Sequence, residues 1–215
     1  MTAQLAHEDE YGRWEPLTLA EVAGALRPTG VIWCIAGGYA PELFVGRSWR
    51  SHEDVDVVIL RREAEALHRA LPGWSLHLAG LGNLEAWPAG TALPEDIHDV
   101  WVRQGNGPWR FQFMVVDTED GDWLYRREPQ IRGPLETLTV DVGGLPVLAP
   151  EIQLLYKSKH PNRPKDERDA EVTIPVLDPS RRERLRSWLA FIDPNHPWLE
   201  TSGLLAPPDQ EASAR

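Results

Sequence analysis

Apolar runs in this chain are short, and turn residues separate them, so the first two thirds predict strands with brief helices and the last third predicts helices. Thr18 caps a predicted helix over 19–26, closed by Pro28 and Gly30. Residues 31–35 form a short buried strand, and Gly37-Gly38 turns the chain into a helix over 39–45 that tolerates Pro41 in its first turn. A second apolar strand spans 55–60, and the Ala, Glu, Leu and Arg content of 61–71 predicts a helix ended by Pro72-Gly73. Alternation predicts strands over 74–79, 84–87, 98–103 and 110–116, the last two joined as a hairpin across Gln104-Gly105-Asn106-Gly107-Pro108. Further strands fall over 123–126, 137–142 and 146–148, the last pair flanking Gly143-Gly144. After Pro150 the period changes, and helices are expected over 151–159, 165–173 and 180–192. The fold class is α/β (α+β): a mixed β-sheet flanked by helices, with a small helical C-terminal part. Residues 16–149 make the α/β domain and 150–192 the helices packed on it, with 1–15 and 193–215 expected to be flexible.

Composition narrows the partners. A formal net charge of −11 argues against a nucleic-acid partner, which requires a basic face, but leaves room for a local basic pocket. No apolar stretch has the length of a membrane span, and the polar, acidic start of the chain does not resemble a signal peptide, so the expectation is a cytoplasmic protein. The single cysteine, Cys34, lies in an apolar run and reads as a small buried hydrophobe. Ten tryptophans is a high count, and several fall in the middle third, where packing of a twisted sheet accounts for most of them. The features that would serve a dimer are an exposed Trp198 and the late strands, but nothing in the sequence demands one.

The chemistry concentrates in two short segments. Strand side chains alternate in direction, so Asp54 and Asp56 point the same way at the head of an apolar strand. Two adjacent carboxylates repel, and a hard divalent cation such as magnesium, held by one or two carboxylates plus phosphate oxygens, relieves that repulsion. The Gly37-Gly38 turn offers backbone amides at a helix start, the general form of a phosphate cradle. The bland alternatives are a solvated strand end and a tight strand-to-helix turn.

Gly37-Gly38-Tyr39-Ala40, Gly46-Arg47 and His52-Glu53-Asp54-Val55-Asp56 together resemble the nucleotidyltransferase superfamily, in particular its aminoglycoside and lincosamide branch. The resemblance returns at Leu154-Leu155-Tyr156-Lys157-Ser158-Lys159 and Arg163-Pro164-Lys165-Asp166-Glu167-Arg168-Asp169. It implies Mg2+ held by Asp54 and Asp56 as catalytic and metal-binding residues. It also implies a nucleoside triphosphate donor positioned by Gly37, Gly38, Arg47 and Lys157, with Arg50 and His52 nearby. Lys157 and Lys159 are roughly 200° apart around a helix, so only one of them reaches the cleft, and Lys157 is preferred. The family places a third acid on a later, adjacent strand. Here that strand, 110–116, offers Gln112 or Met114, and Asp117 and Asp99 are the other candidates.

The expected function is transfer of a nucleoside monophosphate from the triphosphate to a hydroxyl of a small acceptor of the aminoglycoside or lincosamide type. The alternatives are a nucleotide-binding protein that has lost the chemical step and a toxin-type enzyme that modifies a macromolecule.

Overall fold

The computed structural model describes residues 11–80, 82–200 and 204. Thr18 starts helix α1 (Leu19–Leu26) through a reciprocal cap: the Glu21 amide donates to the threonine hydroxyl, and the Thr18 amide donates to the Glu21 carboxylate at 2.8 Å. The chain then forms β1 (Trp33–Ile35), α2 (Tyr39–Val45) and β2 (Asp56–Leu60). The stretch expected as one helix over 61–71 is instead a 3-10 segment, Arg61–Ala66, running into a single α-turn, α3 (Leu67–Ala70). Its first residues are held from outside: Arg61 pairs with Asp117, and the Glu63 carboxylate accepts from the Ile32 amide at 2.6 Å. These tertiary bonds override the helical propensity of the segment.

Strands β3 (Trp74–Gly80), β4 (Asn83–Ala86), β5 (Asp99–Gln104) and β6 (Trp109–Glu119) follow, then β7 (Asp122–Leu124), β8 (Arg132–Pro134), β9 (Thr139–Val142) and β10 (Leu145–Leu148). β8 was not predicted: its Gly-Pro content suits only an edge, and it pairs with β7 alone. The sheet order is β4-β3-β5-β6-β2-β1-β10-β9, with β7 and β8 continuing from the end of β6. β2 lies parallel to β6, and β1 to β10, while the remaining pairs are antiparallel, which makes the sheet mixed. Helices α4 (Pro150–Lys157), α5 (Pro164–Thr173) and α6 (Pro179–Ile192) close the fold.

Two apolar cores lie on the two faces of the sheet. α1, the 3-10 segment and α3 cover one face over Val57, Ile59, Val100, Val102, Phe111 and Phe113. On the other, α4, α5 and α6 bury Cys34, Val58, Leu60, Val116 and Val147. β2 is apolar almost throughout because both its faces are covered, whereas β5 alternates buried with half-buried residues. The half-buried residues of β5 (Asp99, Trp101 and Arg103) lie beside the helical layer, so the covered face gives way to a polar and aromatic one.

Two terminal expectations are corrected. Residues 11–15, expected to be loose, are hydrogen-bonded to the sheet: the Trp109 indole donates to the Tyr11 carbonyl at 2.6 Å, and the Glu15 amide donates to the Trp109 carbonyl at 3.0 Å. Trp198, expected to be exposed, is 3% exposed on a 3-10 turn, and its indole donates to the Pro161 carbonyl. The apolar area of the indole is what ties this segment down. The rest of the expected flexible tails, 1–10, 201–203 and 205–215, lies outside the described residues. Among the described residues no helix is long and apolar enough to cross a membrane.

Candidate functional site

Between β1 and α2 the chain reverses direction through Gly37 and Gly38. Gly37 has φ +63, and a Cβ there would lie 1.7 Å from the Oδ2 of Asp56. At Gly38 a Cβ would lie 2.1 Å from an Arg50 Nη and 2.5 Å from the Nδ1 of His52. The turn is glycine because an acid, a guanidinium and an imidazole crowd against its backbone. The Gly37 amide is already engaged: it donates at 2.7 Å to the Oε1 of Gln153, a buried residue of α4.

The loop after α2 is folded around Glu42, which is 4% exposed. Its carboxylate accepts from the amides of Trp49 (2.9 Å) and Arg50 (3.1 Å) and lies 3.0 Å from the Nε2 of His52. Burial works against the charged form of Glu42, but the Trp49 amide, His52 and Ser48 outweigh it and hold its pKa below the ordinary value. His52 is stacked on Tyr39 with ring centroids 3.9 Å apart. This wrapping sends Arg50 into the cleft, where it meets Asp169 through Nε (3.1 Å) and Nη2 (3.0 Å). Arg47, just after the helix ends at Gly46, remains exposed and outside the cleft lining. The basic residue that the 46–52 loop delivers to the cleft is Arg50.

Asp56 opens β2 and Asp54 stands two residues before it, with Val55 and Val57 fully buried on the opposite side. Both aspartates line one cleft with Gly37 and Gly38. Desolvation, then the neighbouring Asp54 charge, pushes the Asp56 carboxyl up to about 7, with Gln112 and Lys157 acting in the other direction. Directly across from Asp56 on β6 is Gln112, whose side-chain amide donates to Asp56 Oδ1. The position expected for a third acid therefore holds an amide. Asp99, opposite Met114 on β5, lies on the same face and lines the cleft with a side chain 39% exposed. Asp117 is left out: it is paired with Arg61 and lies 4.0 Å from His98, away from the cleft lining.

The opposite wall comes from α4, α5 and the segment after β7. Lys157 lines the cleft, held at 2.9 Å by both Asp166 and Asp169, while Lys159 lies past the end of α4 and is exposed. Arg127, Arg163 and Lys165 also line the cleft, so with Arg50 and Lys157 five cationic side chains share it with the acid pair. Asp169 is fully buried and also accepts from the Trp49 indole at 2.8 Å. Burial opposes its charge, but Arg50, Lys157 and Trp49 hold its pKa below the ordinary carboxylate value. Sequence reasoning did not find Gln153, Arg127 or the clamp role of Glu42. For Gln153 a signal existed: one polar residue between Ile152 and Leu154 in a buried helix.

Among the described residues no three or more His, Cys, Asp or Glu side chains gather as a metal cluster. Two mutually repelling carboxylates opposite cationic side chains nevertheless suit magnesium, which takes one or two carboxylates and completes its shell with phosphate oxygens and water.

Residues 18–79 match the family model described as aminoglycoside-2''-adenylyltransferase, the segment that carries the two glycines and both aspartates. The solution structure of the antibiotic-resistance factor ANT(2'')-Ia superposes with a TM-score of 0.50 at 16% identity, covering 83% of this chain and 94% of that one. The lincomycin-bound lincosamide antibiotic adenylyltransferase LnuA gives a TM-score of 0.51 at 13% identity, covering 76% of this chain and all (100%) of that one. No curated protein matches the chain. The resemblance to the nucleotidyltransferase superfamily therefore holds in sequence over 18–79 and in fold over most of the chain.

Proposed function

We propose that the chain transfers a nucleoside monophosphate from a nucleoside triphosphate to a hydroxyl of a small acceptor, of the kind exemplified by aminoglycosides and lincosamides. The observation that carries this reading is the cleft itself: in a chain of net charge −11, Asp54 and Asp56 share it with Arg50, Arg127, Lys157, Arg163 and Lys165. A cationic wall in so acidic a protein suits a polyanion, and the acid pair suits the cation that accompanies it. The family model matched over residues 18–79, described as aminoglycoside-2''-adenylyltransferase, supports an acceptor of this class. We assign the reaction to the cytoplasm on the same reading, because nucleoside triphosphates are held there.

Asp54 and Asp56 would hold magnesium, which when bound neutralises charge on the triphosphate and on the leaving pyrophosphate. Lys157 and Arg50 are both fixed by Asp169, so their charges are oriented before the donor arrives. Gln112 fixes the rotamer of Asp56 by donating to one oxygen and leaving the other free. Gly37 and Gly38 keep side chains out of the space above Asp56.

The test is calorimetric titration of ATP, GTP, CTP and UTP, each with and without magnesium, on the native chain and on Asp54→Asn and Asp56→Asn. One donor should bind in a magnesium-dependent way, and each substitution should abolish that dependence. Losing a preorganised charge of this kind costs about 2.7–4 kcal/mol of transition-state stabilisation, so transfer should fall about 10²–10³-fold. Magnesium-dependent binding that survives both substitutions would remove the basis of the reading. A second reading, nucleotide binding without transfer, is favoured by Gln112 at the third-acid position, and it predicts binding with no pyrophosphate release.

A further inference from the structure

Gln112 faces Asp56 from β6, and its side-chain nitrogen is committed as a donor to Asp56. A carboxamide does not take up a proton from a substrate hydroxyl at ordinary pH. If the transfer reading holds, on which this inference rests, the proton acceptor stands elsewhere in the cleft. The carboxylates that line it are Asp54, Asp56, Asp99 and Asp166. Asp54 and Asp56 are assigned to the cation. Asp166 is 5% exposed and occupied by Lys157 at 2.9 Å and Arg163 at 3.7 Å. His52 is packed between Tyr39 and Glu42, and His160 stands on the cationic wall beside Lys157. Asp99 is the carboxylate left over. Its side chain is 39% exposed, and its ion pair with Arg126 is long, at 3.9 Å.

We infer that Asp99 receives the proton of the acceptor hydroxyl, so that the acceptor approaches from the β5 side of the cleft and not over Gln112 on β6. As the acceptor oxygen forms its bond to the α-phosphorus, its proton passes to the Asp99 carboxylate. The bond from that phosphorus to the bridging oxygen breaks, and its electron pair leaves with pyrophosphate. The register supports the approach: Asp99 lies directly across from Met114, on the face that Asp56 and Gln112 share, and it lines the cleft with them. Asp99 is faced by Arg126 and Arg127 from the segment after β7, by Asp56 from β2 and by Met114 from β6. Desolvation raises its pKa above the ordinary value, with the two arginines opposing, and that direction strengthens it as a base.

The experiment measures pyrophosphate release from the preferred magnesium triphosphate, with water, tobramycin and lincomycin as acceptors, on the native chain, Asp99→Asn and Asp99→Ala. Donor affinity is measured on the same proteins. The inference expects donor affinity within about threefold of native for both variants, kcat down about 10²–10⁴-fold, and partial rescue of Asp99→Ala by added formate. Rescue by a small carboxylate distinguishes a lost base from a lost structural contact. Native-like turnover in Asp99→Asn overturns the role of Asp99 and leaves the transfer reading standing. Magnesium-dependent donor binding with no release by the native chain overturns the role of Asp99 together with the transfer step, while the nucleotide site survives. Absence of donor binding overturns both readings.

Discussion

A methyl group added at Gly37 would lie 1.7 Å from Asp56 Oδ2 at a backbone φ of +63, whereas one at Gly46, with φ +80, would meet nothing within 4 Å. The two alanine substitutions therefore separate strain from site geometry. Each costs about 1–2 kcal/mol for the left-handed backbone. Only Gly37→Ala must also displace Asp56, so it should weaken magnesium-dependent donor binding at least about tenfold while Gly46→Ala leaves it intact. Calorimetry and urea unfolding on the pair check both effects. At this scale the sequence was informative where chemistry depends on local alternation: Asp54 and Asp56 could be placed on one face because strand side chains alternate. It misdirected where a loop decides. Arg47 and Arg50 were equivalent basic residues in the sequence, and only Glu42, by gathering the amides of Trp49 and Arg50, selects Arg50 for the cleft. Asp117 was excluded by a partner 56 positions earlier in the chain, Arg61.

Elements meet at Asp169, where α5, the end of α4 and the loop after α2 are joined through Lys157, Arg50 and Trp49. Asp169→Asn keeps the shape and removes the buried charge that two partly buried cations, Arg50 and Lys157, share, so it should destabilise the fold by about 3–5 kcal/mol in urea unfolding. The pH dependence has a definite sign. The folded pKa of Asp169 lies below its unfolded value, so its contribution is present above the unfolded pKa and is lost as pH falls through the folded one. The difference between native and variant should thus shrink on acidification. Helices α1 and α2 and the hairpin of β5 and β6 were legible in sequence because caps, glycines and alternation act over a few residues. The stretch over 61–71 was not, because the contacts that hold Arg61 and Glu63 come from distant segments.

For the whole molecule, the C-terminal region is part of the body of the protein. Trp198 is 3% exposed, packs edge-on against His196 at 5.4 Å and bonds the Pro161 carbonyl. Trp198→Ala should cost about 3–5 kcal/mol of stability, read from the urea midpoint, and should leave the oligomeric state unchanged in sedimentation. A shift in assembly without a loss of stability would contradict this placement. The fold class, the run of helices after the last strand, and the pairing of a Gly-Gly turn with an Asp-x-Asp strand were determined by the sequence alone, since propensity, alternation and turn chemistry are local. The tertiary structure decided which carboxylate accompanies that pair and which cations face it. It paired Asp56 with Gln112, brought Asp99 onto the same face from the neighbouring strand, and fixed Arg50 and Lys157 on one buried aspartate. Those choices depend on register and burial between segments far apart in the chain, and no local pattern carries them.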